Sequence, residues 1–175
     1  AHASSAEGGG PFSFANNATA TATIFGTAHS SAGDGTGSNE FNVATSTANN
    51  NAFAHAAAGD GSGTGNLFNT ATATANNFAG AHAAAGNGDS LNVDNMATAT
   101  ASFHAGATAR AGNGDGSFLA HNVATAVATI SAGAHASAGN GDGSINADNI
   151  ATALAAQDAH AHASAGNGDT AANDD

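Results

Sequence analysis

The stretch AHASAGNGDGSINADNIATALA, residues 134–155, decides the fold, because versions of it recur along the whole chain. Each version contains an Ala-Gly pair, and its glycine returns every 26 or 27 residues, at Gly33, Gly59, Gly86, Gly112, Gly139 and Gly166. An asparagine stands 17 residues before each of these glycines, at Asn16, Asn42, Asn69, Asn95, Asn122 and Asn149. Only the connector from each glycine to the next asparagine varies, between nine and ten residues. This pattern indicates rigid strands joined by tolerant loops.

Within the constant segment, Ala occupies every second position of two runs, strand A (123–129 in one repeat) and strand B (132–138). Ser46 and Ser30 are exceptions to the Ala pattern in strands A and B respectively, and Gly26 is another in strand B. The positions between carry Thr, Val or Ile in strand A, and Gly, His or Ser in strand B. A period of two is typical of a β-strand, and the frequent Thr and Gly argue against a helix despite the Ala content.

Repeats of this length with identical strands at identical places predict an all-β fold, a β-solenoid of stacked 26–27-residue coils with a thin Ala-rich core. Seven B strands and six A strands are expected, with like residues above like residues. Facing Ala sheets should approach more closely than the usual ~10 Å. An antiparallel β meander or sandwich built from the same strands is the alternative.

The repeat predicts one domain with three parts. Residues 1–15 form an N-terminal half-coil, residues 16–166 hold six strand A–strand B modules with Gly-rich connectors, and residues 167–175 are an acidic tail. Bulky residues stand at the bends between strands A and B, and we expect them to fill corners that Ala cannot fill. They include Ile24, Phe25, Phe78, Phe103 and Ile130.

Composition excludes several classes of function. The chain has 13 acidic residues and one basic residue, a net charge of −12, which repels nucleic acid and anionic lipid. No apolar run approaches the roughly 18 residues of a membrane helix. The absence of Cys excludes a disulfide framework. The sequence opens with Ala1 rather than Met, and we expect a removed leader and an extracellular location.

The connector GNGDG raises the question of a metal site. Asp89, Asp115, Asp142 and Asp169 share one register and would stack into a column, whereas Asp34 and Asp60 directly follow their glycines. Carboxylate oxygens suit Ca²⁺. The motif resembles the Gly-Asp calcium repeats of secreted RTX proteins, and that resemblance implies calcium binding. The alternative is a turn that uses Gly, Asn and Asp for positive φ and Asx hydrogen bonds. No cofactor is required, Ca²⁺ is the candidate ion, and the aspartates are Asp34, Asp60, Asp89, Asp115, Asp142 and Asp169.

A histidine column is predicted on the outward face of strand B, with Thr108 replacing one member. Stacked imidazoles suit Zn²⁺ or Cu²⁺ and titrate near pH 6. The alternative is an outward stack that packs on a neighbouring subunit. His160 and His162 with Asp158 form the best single metal candidate. The column comprises His2, His29, His55, His82, His135 and His162.

Threonines form two columns on the outward face of strand A, and Val127 and Leu154 interrupt the second. This Thr-x-Thr pattern resembles the face of hyperactive insect antifreeze solenoids, and that resemblance implies binding to an ice surface. The alternative is a face packed against another sheet. The threonines are Thr19, Thr21, Thr45, Thr47, Thr72, Thr74, Thr98, Thr100, Thr125 and Thr152.

The segments AGNGDGSINADN (138–149) and NIATALA (149–155) resemble the repeats of bacterial functional-amyloid subunits. That resemblance implies an extracellular matrix protein whose partner is itself. We therefore expect a non-enzymatic structural protein that assembles into a filament or matrix fibre by end-to-end or lateral β stacking. A monomeric ice-binding solenoid is the alternative, and a calcium-stiffened adhesin segment is the third possibility. Catalysis is not expected, because Ser, His and Asp recur in every coil instead of forming one distinctive pocket.

Overall fold

The computed structural model is an all-β solenoid of about 5 turns with coils of ~27 residues. It describes residues 1–5, 12–33, 36–59, 65–88, 91–113, 118–130, 133–140, 145–157, 160–166 and 173–174. The strands form three parallel sheets, in which each strand is hydrogen-bonded to the equivalent strands of neighbouring coils. The solenoid prediction is confirmed, and the antiparallel alternative is wrong because every strand pair is parallel.

We name the two longer sheets by their outward residues. The His sheet corresponds to the predicted B strands and has seven strands: β1 (His2–Ser5), β4 (Thr27–Ala32), β7 (Phe53–Ala58), β10 (Gly80–Ala85), β13 (Gly106–Ala111), β16 (Gly133–Ala138) and β19 (His160–Ala165). The Thr sheet corresponds to the predicted A strands and has six: β3 (Asn17–Ala22), β6 (Val43–Asn49), β9 (Thr70–Asn76), β12 (Met96–Ser102), β15 (Val123–Thr129) and β18 (Ile150–Ala156).

A third sheet lies where the sequence predicted only a bend. We call it the short sheet, because its strands have two or three residues. Its middle residues are buried, as Asn39 and Leu119 illustrate, so this part of the connector is a regular wall of the solenoid. Its strands are β2 (Phe12–Phe14), β5 (Ser38–Glu40), β8 (Gly65–Leu67), β11 (Leu91–Val93), β14 (Phe118–Ala120), β17 (Ile145–Ala147) and β20 (Asn173–Asp174).

The core between the His and Thr sheets consists almost entirely of Ala methyl groups. In the central coils the inward alanines are fully buried, as at Ala73, Ala83 and Ala99. Facing strands bring Cα atoms within 8 Å of each other, closer than the ~10 Å at which ordinary sheets stack. The expected thin core is therefore present, and its narrowness explains why Ala fills it.

The two serines that replace core alanines are partners. Ser30 Oγ lies 2.8 Å from Ser46 Oγ across the core, and both residues are fully buried. The Ser46 hydroxyl donates its proton to the carbonyl oxygen of His55. Since a hydroxyl has only one proton, Ser30 must donate to Ser46. The two serine departures from the Ala pattern thus form one satisfied buried network.

Three corners with left-handed backbone join the sheets in each central coil. Between the short sheet and the Thr sheet, Phe41 and Phe68 have φ of 55° and 54°. Between the Thr and His sheets, Phe78 has φ of 55°. Hydrogen bonds between coils hold these corners, for example from the Phe78 amide to the Phe103 carbonyl oxygen at 2.8 Å. This bonding offsets the cost of the left-handed conformation in non-glycine residues.

Glycine is required at the third corner, after the His-sheet strands β4, β7, β10, β13 and β16. Gly86 has φ of +61°, and a Cβ placed there would lie 2.2 Å from Cγ of Asn95. The other corner glycines make the same close approach to the next repeat asparagine, as Gly59 does to Asn69. The contact therefore links each glycine to the asparagine that follows it, across the variable connector.

The one-residue variation in coil length is confined to one place. From the first residue of each short-sheet strand to the repeat asparagine the distance is constant, as from Ser38 to Asn42 and from Gly65 to Asn69. The variation therefore falls between the corner glycine and the short-sheet strand, in segments such as 34–37 and 60–64. The connector therefore does not vary along its whole length. Its second half, from the short-sheet strand to the repeat asparagine, is as constant in length as the long strands.

The prediction that bulky residues fill the corners is wrong. Ile24, Phe25, Phe78 and Phe103 lie on the outside, and Phe25 is 78% exposed. The closely spaced Ala strands leave no volume inside for a ring, so these side chains lie at the surface. Phe78 packs on His104 there, with ring centroids 5.1 Å apart.

Candidate functional site

The most regular internal feature is a ladder of buried Asn side chains, formed by the six repeat asparagines. The Asn69 backbone N–H and Nδ2 both donate to Asn95 Oδ1 at 3.1 Å. Asn95 Nδ2 donates in turn to Asn122 Oδ1 at 3.0 Å and to the Asn66 carbonyl oxygen at 2.8 Å. The ladder therefore ties the short sheet to the Thr sheet and runs in one direction along the axis.

A second Asn ladder, in the short sheet, was missed. Asn39 Nδ2 donates to Asn66 Oδ1 and Asn66 Nδ2 donates to Asn92 Oδ1, both at 2.9 Å. In β14 the fully buried Leu119 takes the equivalent place. The signal was an asparagine three residues before the ladder residue, as at Asn39 and Asn42.

The His column is a stack of rings on the outside of the His sheet. His29 and His55 stack with centroids 4.7 Å apart, His55 and His82 with centroids 4.8 Å apart. Beyond the interruption at Thr108, the rings of His135 and His162 are 4.9 Å apart. The first member, His2, is in register with His29, and its side chain lies outside the described part.

Burial keeps the central rings of this column neutral. Burial above all, followed by the neighbouring imidazoles of His82 and His29, lowers the pKa of His55 from 6.5 to about 4. The pKa of His82 is lowered by burial and then by the charge of Arg110. The Nδ1 atoms of His55 and His82 are buried and have no hydrogen-bond partner among the described residues. A proton there would add an uncompensated buried charge, so the stack is stable in its neutral form.

The metal hypotheses stay predictions. All six connector aspartates proposed for Ca²⁺, Asp34, Asp60, Asp89, Asp115, Asp142 and Asp169, lie outside the described residues, and so does Asp158. His160 and His162 are exposed on the outward face of β19. Within the described ranges, no group of three or more His, Asp or Glu side chains is placed to hold a metal ion.

The Thr columns lie where the alternation predicted them. Thr72 and Thr98 are in register and half-buried on the outer face of the Thr sheet, and the Thr74–Thr100 pair continues beside them. Along a strand, alternate residues are about 6.6–6.8 Å apart, and coils are about 4.8 Å apart. The face is therefore a two-dimensional lattice of hydroxyl and methyl groups.

A charged column at the corner before the Thr sheet was also missed. His121 Nε2 lies 3.1 Å from Asp148 Oδ2, and His121 Nδ1 lies 3.7 Å from Asp94 Oδ1. These residues directly precede ladder asparagines, at corner positions that Phe41 and Phe68 occupy in earlier coils. Because all three side chains are solvent-exposed to a large degree, the pairing adds little stability.

The described residues include no helix that is long and apolar enough to cross a membrane. No protein-family model, no curated protein and no solved structure matches this chain, so its interpretation depends on its own coils, columns and surfaces.

Proposed function

We propose that this chain is a non-enzymatic structural protein, a subunit of an extracellular filament or matrix fibre that assembles by end-to-end β stacking. The observation that carries the proposal is the like-on-like register of the coils. Within the His sheet each strand pairs in parallel with its equivalent one coil away, as Ala134 does with Ala161 and Ala136 with Ala163. The strand edges of one coil can therefore hydrogen-bond to the equivalent strands of another coil.

The coil that contains β19 offers such a template. Ala161 and Ala163 continue the core columns of Ala134 and Ala136, which are buried. Ala161 and Ala163 themselves are exposed. Another coil would cover these methyl groups and the backbone edge of β19. The single direction of the strands and of the Asn ladder makes this contact head-to-tail, the type that produces filaments when it does not close.

The strand counts define the junction between two copies of residues 1–175. The His and short sheets have seven strands each and the Thr sheet has six. When β19 and β20 of one copy pair with β1 and β2 of the next, the Thr sheet is left with one unfilled strand position. Seven rungs of about 4.8 Å then give an axial repeat of about 34 Å per subunit. If β18 instead paired directly with β3 of the next copy, the axial repeat would be about 29 Å. The strand β19 and the next copy's β1 would then lie at the same level along the axis.

Electron microscopy of the purified chain tests the proposal. We expect unbranched filaments with a rung spacing of about 4.8 Å and a subunit repeat of about 34 Å. Ala163→Lys places a charge in the core column of the exposed edge and should abolish filaments while leaving the circular dichroism spectrum unchanged. His160→Lys, at an exposed outward position of the same strand and away from the Thr sheet, is the matched control and should assemble normally. A wild-type chain that stays monomeric at its highest soluble concentration would refute the proposal.

Ice binding is the second candidate, favoured by the in-register Thr columns on one flat face. Thermal hysteresis of a dilute monomer solution tests it. We expect Thr72→Lys to remove the thermal hysteresis if this candidate is right. Thr108→Lys, on the opposite sheet, should leave the hysteresis intact. Absence of hysteresis in the folded wild-type monomer would exclude it.

A further inference from the structure

Exposed apolar side chains are concentrated around the Thr sheet. Among the described residues, 13 large apolar side chains are exposed, and 10 of these lie on the Thr sheet or on its two flanking corners. On the sheet itself they are Val43, Met96, Ile150 and Leu154. At the corners they are Ile24, Phe25, Phe41, Phe68, Phe78 and Phe103. Exposed apolar surface of this kind marks an interaction site.

Apart from Val43 in β6, the large apolar residues of the sheet lie in its last three strands, β12, β15 and β18. Met96 is in register with Val123, and Val123 with Ile150. Four residues further along the same face, Val127 is in register with Leu154. Ile150 and Leu154 are 55% and 57% exposed. A column of threonines runs between these two rows, so the rows and this column form one face without a charged side chain.

Charge identifies the occupant of this face. Each copy carries a net charge of −12, so two copies repel each other wherever their carboxylates meet. The six strands of the Thr sheet contain no ionisable residue. The His sheet contains histidines and Arg110, and the short sheet contains Glu40 and Asp174. Among the three sheets, the Thr sheet is the one at which two copies can pack without desolvating a charge.

We propose that the outer face of the Thr sheet packs against the same face of a second copy, and so joins filaments laterally. This inference deepens the proposed filament function and rests on it. Seven residues of about 3.3 Å and six strands of about 4.8 Å define a face of about 650 Å². A pair of copies would bury about 1,300 Å², at the lower end of stable interfaces. Single copies therefore pair weakly, whereas stacked copies bind tightly because many such faces engage together.

The test uses a double variant, Val127→Asp/Leu154→Asp, with Thr108→Asp on the opposite sheet as the control. Wild type and control should form filaments that pair or bundle, and the double variant should form single filaments with the same axial repeat. In sedimentation equilibrium below the filament-forming concentration, the double variant should weaken dimerisation at least tenfold. Bundling of the double variant at the wild-type level would overturn the lateral interface.

The two proposals fail separately. If wild type forms dimers that the double variant loses, but no filaments, the end-to-end function is wrong and the lateral interface stands. If wild type forms only single filaments at every concentration, the lateral interface is wrong and the filament function stands. A wild-type chain that shows neither filaments nor dimers refutes both.

Discussion

The buried Ser30–Ser46 pair offers a stringent test of the core, because each hydroxyl depends differently on the other. Ser46→Ala removes the acceptor of the Ser30 proton, and Ser46 is the one hydrogen-bond partner of Ser30 Oγ among the described residues. An unsatisfied buried hydroxyl costs about 1–3 kcal/mol. Ser30→Ala leaves Ser46 bonded to the His55 carbonyl oxygen and should cost only about 0.5–1.5 kcal/mol.

The double variant Ser30→Ala/Ser46→Ala restores the all-Ala pattern of the next coil, where Ala56 and Ala73 occupy these positions. It should lie within about 0.5 kcal/mol of wild type, although the two single costs sum to about 1.5–4.5 kcal/mol. Urea denaturation of monomeric protein measures all four free energies of unfolding. The converse set, Ala56→Ser, Ala73→Ser and both together, should show the same non-additivity.

Strict additivity in the Ser30–Ser46 cycle is the result that would refute this reasoning. It would mean that the two hydroxyls do not interact, and that the facing of β4 and β6 across the core is misassigned. A double variant that is less stable than either single variant would also contradict it, because the remaining Ala methyls would then fail to fill the space.

Three further predictions concern the ladder, the glycine corner and the His column. Asn95→Leu should lower the free energy of unfolding by about 3–5 kcal/mol, because several buried groups lose their partners, while Asn76→Thr at a half-buried outward position of β9 should cost less than about 1 kcal/mol in the same urea titration. Gly86→Ala should cost about 2–4 kcal/mol in thermal unfolding through strain and the clash with Asn95, whereas Gly106→Ala, with nothing within 4 Å of the new methyl, should be nearly neutral. The folded-state pKa of His55 is below its unfolded value, so the unfolded chain binds the proton first and stability falls as pH drops from about 6.5 to about 4. His55→Gln should reduce this fall, measured as the melting temperature at each pH. An unchanged pH profile in the variant would contradict the neutral stack.

The long strands could be predicted closely because most of them show three inward Ala residues in alternation. Strand β15 was predicted with its observed bounds, Val123–Thr129. The short sheet could not be recognised in this way, because a strand such as Ser38–Glu40 has one inward residue and so shows no period. Its signal was the Asn-x-x-Asn spacing. This spacing indicates two adjacent Asn ladders only when the corner between the short sheet and the Thr sheet is already known.

The surface was harder to predict than the core. Large apolar residues such as Phe25 and Phe78 were assigned to the interior on the general rule that apolar side chains are buried. That rule fails here because the gap between the sheets is set by backbone spacing and admits only a methyl group. The pairing of Ser30 with Ser46 was likewise hidden, since the sequence shows two exceptions and only the fold shows that they face each other.

The narrow gap between the two long sheets also explains why the chain has so unusual a composition. In a wide core, Leu, Ile, Val, Phe and Met are interchangeable at moderate cost, and related sequences can diverge. Here a larger side chain overfills the gap, so the repeat positions that face it carry Ala, with the Ser30–Ser46 pair and Gly26 as the exceptions. Few residue types can therefore replace Ala at the buried positions between the two long sheets. Its apparent low complexity is a steric requirement repeated in every coil.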